Sequence, residues 1–141
     1  MRTLYLGLAL ALAGNACVAA NGMREARGPG VVPPDQLGRY WVLDAKSQKA
    51  LPNRKGGKVP GCASATYMID SEGNTMGIET VRSQPEGEYD GDLEKFLQRA
   101  HYDMAAGAEG DSVHTYLTLV WDGNDASQHA ALEQACAVAG P

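Results

Sequence analysis

The fold is decided by one stretch, which reads Gly61-Cys62-Ala63-Ser64-Ala65-Thr66-Tyr67-Met68-Ile69-Asp70-Ser71-Glu72-Gly73. Its odd positions from 63 to 69 are apolar, while Ser and Thr stand at even positions. This period of two predicts a strand with one buried face. Residues 70–74 are turn formers, and Gly73 can adopt a positive φ. The stretch therefore predicts the first strand and the turn of a β-hairpin.

The second strand of this hairpin is predicted at residues 75–83. Its apolar residues are Met76, Ile78 and Val81, so the apolar positions change from even to odd between Ile78 and Val81. A change of phase within a strand indicates an extra residue on that strand. We therefore expect a β-bulge between Ile78 and Val81.

An amphipathic helix is predicted after the loop at 84–87, because the spacing of apolar residues changes. Leu93, Phe96, Leu97 and Ala100 stand at positions i, i+3, i+4 and i+7, which form one stripe on a helix. Asp90 precedes this stripe and is a good N-cap residue. The pattern predicts a helix that is capped by Asp90 and packs on the sheet through its apolar stripe.

A third strand and a second helix complete the body of the chain. Residues 112–121 alternate again, and their shared face carries Val113, Thr115, Leu117, Leu119 and Trp121. Asp125 or Ser127 is expected to cap a short Ala-rich helix with Leu132, Ala135 and Cys136 on one side. The order is β-β-α-β with an extra C-terminal helix. This order predicts an α+β fold, in which a small antiparallel sheet carries a helix on one face.

Length and charge limit the number of domains and the classes of partner. The chain has 141 residues and a formal net charge of −5 at pH 7, and this length suits one domain. Residues 24–58 carry eight basic and three acidic residues, whereas residues 59–141 carry three basic and fourteen acidic ones. A basic arm, residues 21–57, therefore precedes an acidic body, residues 58–141. An acidic body lacks the basic face that nucleic-acid binding requires.

The basic arm combines structure breakers with one short strand. Gly28-Pro29-Gly30, Pro33-Pro34 and Gly56-Gly57 interrupt regular structure, whereas residues 40–43 are rich in aromatic and β-branched side chains and predict a strand. We expect this strand to pack on the body, with Trp41 and Trp121 anchoring the contact. Two interpretations of the remaining arm stay open: a solvated leader against the acidic body, or a contact with an acidic surface or polymer.

The N-terminus has the three-part layout of a secretory signal peptide. A basic start at Arg2 is followed by an apolar run at 4–13, and Val18-Ala19-Ala20 places small residues where signal peptidase cleaves. Residues 1–20 are therefore predicted to be a signal peptide, with Asn21 as the first mature residue. Two alternatives stay open: an uncleaved anchor, which would need about 20 apolar residues, and lipidation at Cys17.

Cleavage at Ala20 would leave two cysteines, Cys62 and Cys136, in an exported chain. Two cysteines in an oxidising compartment predict one disulfide bond. Their spacing does not suit zinc, which needs a close pair of Cys or His ligands. The alternative is two free buried thiols.

The body resembles the TonB C-terminal domain over residues 58–121. In that family a Gly, an alternating strand ending in Ile-Asp or Val-Asp, and a turn Gly recur in this order, as they do from Gly61 to Gly73. Residues 81–87 (Val-Arg-Ser-Gln-Pro-Glu-Gly) resemble its second strand and Ser-x-Pro loop. Tyr89-Asp90 resembles its helix start, and residues 113–121 its last strand. The chain departs from the family at Met104, where a Pro is usual.

The resemblance implies a module of the Gram-negative periplasm that is linked to transport across the outer membrane. TonB C-terminal domains bind the short TonB box of outer-membrane receptors by adding it to a sheet edge. Energy transducers of this family keep an N-terminal membrane helix and a long Pro-rich spacer, and after cleavage this chain is expected to have neither. We therefore predict a stand-alone periplasmic module without its own membrane anchor. Its partner is then a protein or peptide, such as an outer-membrane receptor. The implied edge strand consists of Val113, His114, Thr115, Tyr116, Leu117, Thr118, Leu119 and Val120. The alternative is that the chain's own arm or tail covers this edge.

The sequence offers little support for an enzyme. His101, His114 and His129 are not spaced as metal ligands, and the chain has no Gly-x-Ser-x-Gly motif. Cys62 and one histidine could form a nucleophile pair. Residues 86–91 faintly resemble a calcium loop, but Leu97 stands where its closing Glu belongs. We therefore predict no catalytic residue, no metal and no cofactor, with a small exported enzyme or inhibitor on the same scaffold as the alternative.

Overall fold

The computed structural model describes residues 30–56 and 59–139. The predicted signal peptide, its cleavage site, Cys17 and the start of the arm lie outside the described residues. Within those ranges the helices and strands follow one another as α1 (Pro34–Leu37), β1 (Trp41–Leu43), α2 (Ala45–Lys49), β2 (Gly61–Ile69), β3 (Thr75–Gln84), α3 (Asp90–Arg99), β4 (Tyr102–Met104), β5 (Val113–Trp121) and α4 (Ala126–Ala135). None of these helices has the length and apolar character that a membrane span requires.

The three long strands form an antiparallel sheet in the order β3-β2-β5. β2 is the central strand, and it pairs with β5 without interruption, from Gly61 opposite Trp121 to Ile69 opposite Val113. Its inward side chains are fully buried, as the exposures of Ala63 and Ile69 show. The predicted α+β class with a small antiparallel sheet is therefore confirmed.

The pairing of β2 with β3 shifts register twice. Ser64 pairs with Arg82 and Ala65 with Thr80, so the intervening Val81 is the extra residue of a bulge. This agrees with the bulge expected between Ile78 and Val81. A second shift, opposite residues 66–68 of β2, was not predicted. Both irregularities lie on the β3 side of the sheet, and the pairing with β5 on the other side stays regular.

α3 covers one face of the sheet through the apolar stripe predicted for it. Its buried side chains are those of Leu93, Phe96 and Leu97. The predicted N-cap is wrong, because Tyr89 holds the capping position and Asp90 is the first residue of the helix. The Tyr89 ring is buried and stacks on Trp121 with the ring centroids 4.2 Å apart. This packing, rather than a capping carboxylate, fixes where the helix begins.

A second, two-stranded sheet, absent from the sequence prediction, joins the arm to the body. β1 pairs antiparallel with β4. Trp41 lies in the main core, and its Nε1–H donates to the carbonyl oxygen of Asp111 at 2.9 Å. Val32 and Leu37 belong to the same core. This part of the arm therefore packs on the body, as expected for residues 40–43, and is not a solvated leader. Trp121, expected to help anchor it, stacks on Tyr89.

α4 lies on the opposite face of the sheet, where the predicted disulfide bond holds it. Cys62 of β2 and Cys136, directly after α4, are bonded with their Cα atoms 6.0 Å apart. Both are almost fully buried, and Val120 and Leu132 pack beside them. The Ser64 hydroxyl donates to the carbonyl oxygen of Cys136. No residue within α4 is buried, so the bond and these neighbouring contacts attach the helix.

The turn between β2 and β3 predicts a large effect of substitution at Gly73. Its φ is +85°, and a Cβ there would lie 2.0 Å from the carbonyl oxygen of Tyr102. We expect Gly73→Ala to lower the free energy of unfolding by about 2–5 kcal/mol, because left-handed strain and overpacking add. Gly107→Ala is the matched control: its φ is +80° and no atom lies within 4 Å. It should cost about 1–2 kcal/mol. Equal losses in urea unfolding would contradict the clash.

The same turn predicts a dependence of stability on pH. Asp70 Oδ1 accepts from the backbone N–H groups of Asn74 and Glu72, both at 2.9 Å, and these bonds, that from Asn74 most, lower the pKa of its carboxyl. A lowered folded-state pKa stabilises above the unfolded value of about 3.9, and this stabilisation disappears as the pH falls through the folded-state pKa. Asp70→Asn keeps the acceptor but does not titrate. We expect it to lose less stability than wild type between pH 5 and pH 2 in urea unfolding; a larger loss would contradict this assignment.

Candidate functional site

β5 is an edge strand, and its backbone shows which residues face outward. In an antiparallel pair, alternate residues turn their N–H and C=O groups toward the partner strand or away from it. The carbonyl oxygen of His114 accepts from the N–H of Val32, at 2.7 Å, and therefore points away from β2. Because the pairing with β2 is regular, the backbone N–H and C=O groups of Tyr116 and Thr118 also point away from β2.

The arm covers the beginning of this edge. Val31 forms a parallel bridge with His114. The Thr115 hydroxyl donates to the carbonyl oxygen of Val32 at 2.7 Å, in a buried contact. Val32 itself is 4% exposed. The alternative that the chain covers its own edge therefore holds at His114 and Thr115.

The middle of the edge is open to a neighbouring strand. Within the ranges 30–56 and 59–139, the outward backbone groups of Tyr116 and Thr118 bond to no other backbone group. A cleft beside them, with a volume of about 340 Å³, is bounded on one side by the start of α1 and on the other by the end of α4. Its two carboxylates belong to Asp35 and Glu133. The cleft gives an extended segment access to four backbone hydrogen-bonding groups.

Most side chains at the two ends of β5 are buried within the protein, whereas His114 is exposed and Tyr116, Leu117 and Thr118 are half-buried. Val113 and Leu119 are buried in the main core, and Val120 lies beside the disulfide bond. The Thr118 hydroxyl is 2.7 Å from that of Ser64. Since Ser64 donates to Cys136, Thr118 is the donor of this bond. The edge therefore offers a partner the backbone groups of Tyr116 and Thr118, together with the half-buried side chains of Tyr116 and Leu117 that line the cleft.

The three histidines lie on separate elements. His101 follows α3, His114 is on β5, and His129 is on α4. His129 Nδ1 is 2.6 Å from the carboxylate of Asp122. The backbone N–H of Asn124, and after it His129, lower the pKa of Asp122. Among the residues that the structure describes, no three His, Cys, Asp or Glu side chains are grouped as metal ligands would be.

The nucleophile pair considered for Cys62 is wrong. Its sulfur is bonded to Cys136 and the residue has no exposed surface, so it cannot supply a thiolate. Of the two candidate caps of α4, Asp125 is the N-cap, and its carboxylate accepts from the N–H of Ser127 at 3.0 Å.

The residues that frame the open edge could not be predicted from the sequence. Asp35 and Glu133 stand almost 100 positions apart, and only the tertiary fold brings them to one cleft. Val31 and Val32 contact β5 over too few residues to give a periodic pattern. One signal was present: a residue before proline, as Val32 is before Pro33, favours extended backbone.

The chain matches no protein-family model and no curated protein. The geometry of the edge and the sequence resemblance therefore carry the functional proposal.

Proposed function

We propose that this chain is a non-enzymatic periplasmic module, similar to TonB C-terminal domains, that binds an extended peptide along the open edge of β5. The peptide belongs to a protein partner in the periplasm, and the TonB box of an outer-membrane receptor is the first candidate. The observation that carries the proposal is the position of β5 at the edge of the sheet, with the outward groups of Tyr116 and Thr118 facing a cleft.

The physical basis is strand addition. An unpaired strand edge offers its N–H and C=O groups to an extended chain, which gains backbone hydrogen bonds with little dependence on sequence. Each such bond contributes about 0.5–1.5 kcal/mol, so the four groups at Tyr116 and Thr118 can give a modest affinity. The ββαβ order of β2, β3, α3 and β5 is consistent with the family that the sequence resembles and supports the same proposal.

Amide hydrogen exchange tests the binding edge directly. The probes are synthetic peptides that carry TonB boxes of Gram-negative outer-membrane receptors, added to the full mature chain. We expect the amides of Tyr116 and Thr118 to exchange fast in the free protein and to become protected when a peptide binds. The amides of Thr115 and Leu117, which face β2, serve as controls and should be protected in both states. Binding that protects other amides but leaves Tyr116 and Thr118 unchanged would contradict the proposal.

A further inference from the structure

A second groove lies between α2 and α3 and shares no lining residue with the cleft at the β5 edge. It has a volume of about 340 Å³, which is in the range of small-molecule sites. The apolar part of its lining comes from Ala50, Pro52, Phe96 and Ala100. Its charged side chains are Asp92, Lys95 and Arg99 of α3. The groove thus combines an apolar lining with a few charged groups.

Its walls are held together by hydrogen bonds between the arm and the body. The backbone N–H of His101, after α3, donates to the Ser47 hydroxyl at 2.9 Å, and the N–H of Asp44 donates to the carbonyl oxygen of His101 at 3.0 Å. Ser47 is 4% exposed. The Asp44 carboxylate caps α2 by accepting from the N–H of Ser47 at 2.6 Å. These contacts fix α2 beside α3, so the groove is present before a ligand arrives.

Most of the described lysines and arginines lie on the elements that flank this groove, although the body of the chain is acidic, and two of them, Lys95 and Arg99, line it. Eight lysines and arginines lie within the described ranges, and six of them are on α2, on the turn after it or on α3. These six are Lys46, Lys49, Arg54, Lys55, Lys95 and Arg99. Among the described residues none of the six has a carboxylate within 4.0 Å. The cations are therefore available to an external anion.

We propose that the groove binds an amphiphilic anion, a molecule with a phosphate or carboxylate headgroup and a short apolar chain. Lys95 and Arg99 are four residues apart on α3, so they lie on the same side of the helix and bind the headgroup together. The apolar chain of the ligand packs on Phe96, Ala50 and Pro52. Asp92 lies three residues before Lys95 and seven before Arg99, about 4.5 Å and about 10 Å away along the helix axis. Its negative charge keeps the headgroup at the Arg99 end.

Calorimetric titration of the full mature chain with octyl phosphate tests the inference. Three comparison ligands are used. Inorganic phosphate lacks the alkyl chain, octyl glucoside lacks the charge, and octanoate carries a carboxylate in place of the phosphate. We expect octyl phosphate to bind about tenfold more tightly than either of the first two, because apolar burial and charge-assisted bonds both contribute. The octanoate arm distinguishes a phosphate-specific headgroup site from a general anion site.

Matched variants locate the binding. Lys95→Gln and Arg99→Gln should each weaken the binding of octyl phosphate about tenfold. Arg82→Gln removes the same charge from exposed β3, away from the groove, and should bind like wild type. Circular dichroism checks that all three variants fold. The inference is overturned if octyl phosphate does not bind, if inorganic phosphate or octyl glucoside binds equally well, or if the three variants behave alike.

Discussion

Replacing Cys62 with serine is expected to lower the free energy of unfolding by about 4 kcal/mol, within a range of about 2–5 kcal/mol. The bond to Cys136 spans 74 positions, and such a long loop loses much entropy when it is closed in the unfolded chain. The structure adds a specific consequence. Because no residue within α4 is buried, this helix should detach from the sheet when the bond is missing. Urea unfolding followed by circular dichroism measures both the loss of stability and the loss of helix.

Reduction of the wild-type protein provides the control for this substitution. Wild type with dithiothreitol should show most of the loss of stability seen in Cys62→Ser, since both lack the bond. The serine variant should be slightly less stable, because it also places a hydroxyl at a fully buried site. Mature protein prepared without reductant should show no free thiol after unfolding. Two reactive thiols per unreduced chain would show that the bond is absent. A Cys62→Ser variant as stable as oxidised wild type would show that the bond is not the main attachment of α4.

Thr118→Pro is expected to weaken peptide binding at the β5 edge by at least tenfold. The N–H of Thr118 points away from β2, so proline removes a donor to the partner but breaks no hydrogen bond of the sheet. Its ring also stands where the added strand must approach. Thr118→Ala is the matched control, because it loses the same hydroxyl bond to Ser64 and keeps the backbone donor. We expect the alanine variant to bind within about threefold of wild type.

Thermal unfolding separates a binding effect from a folding effect. Proline is tolerated at strand edges, so Thr118→Pro should melt near Thr118→Ala. Fluorescence titration with the TonB-box peptides then measures affinity for both. A proline variant that folds and binds as tightly as the alanine variant would show that strand addition does not occur at this edge.

Elements with a regular pattern of buried residues were predictable from the sequence. The sequence of β2 alternates from Ala63 to Ile69 and α3 repeats its stripe over two turns, so the face buried between the sheet and α3 determines both. The other face of β2 is also buried at Cys62 and Ser64, which the alternation did not predict. The disulfide bond followed from the number of cysteines, and the edge strand from the resemblance.

The elements missed are those that depend on distant contacts. β4 has only three residues, Tyr102–Met104, and exists because β1 pairs with it. α1 and α2 are too short to show a helical period. The start of α3 was misplaced by one residue, because the packing of Tyr89 on Trp121 outweighed the capping preference of Asp90. The groove between α2 and α3 depends on the tertiary packing of these two helices, which no local sequence pattern predicts.

The strand order also sets a sequence of events during folding. β2 meets β3 across a tight turn, whereas β5 returns to β2 only after α3 and β4 have intervened. Local pairings form first, and distant ones form more slowly because a long loop must close. Cys136 reaches Cys62 only when the segment after β5 lies across the sheet. Oxidation is therefore a late step, and the disappearance of free thiols in a refolding experiment should lag behind hairpin formation and report completed assembly.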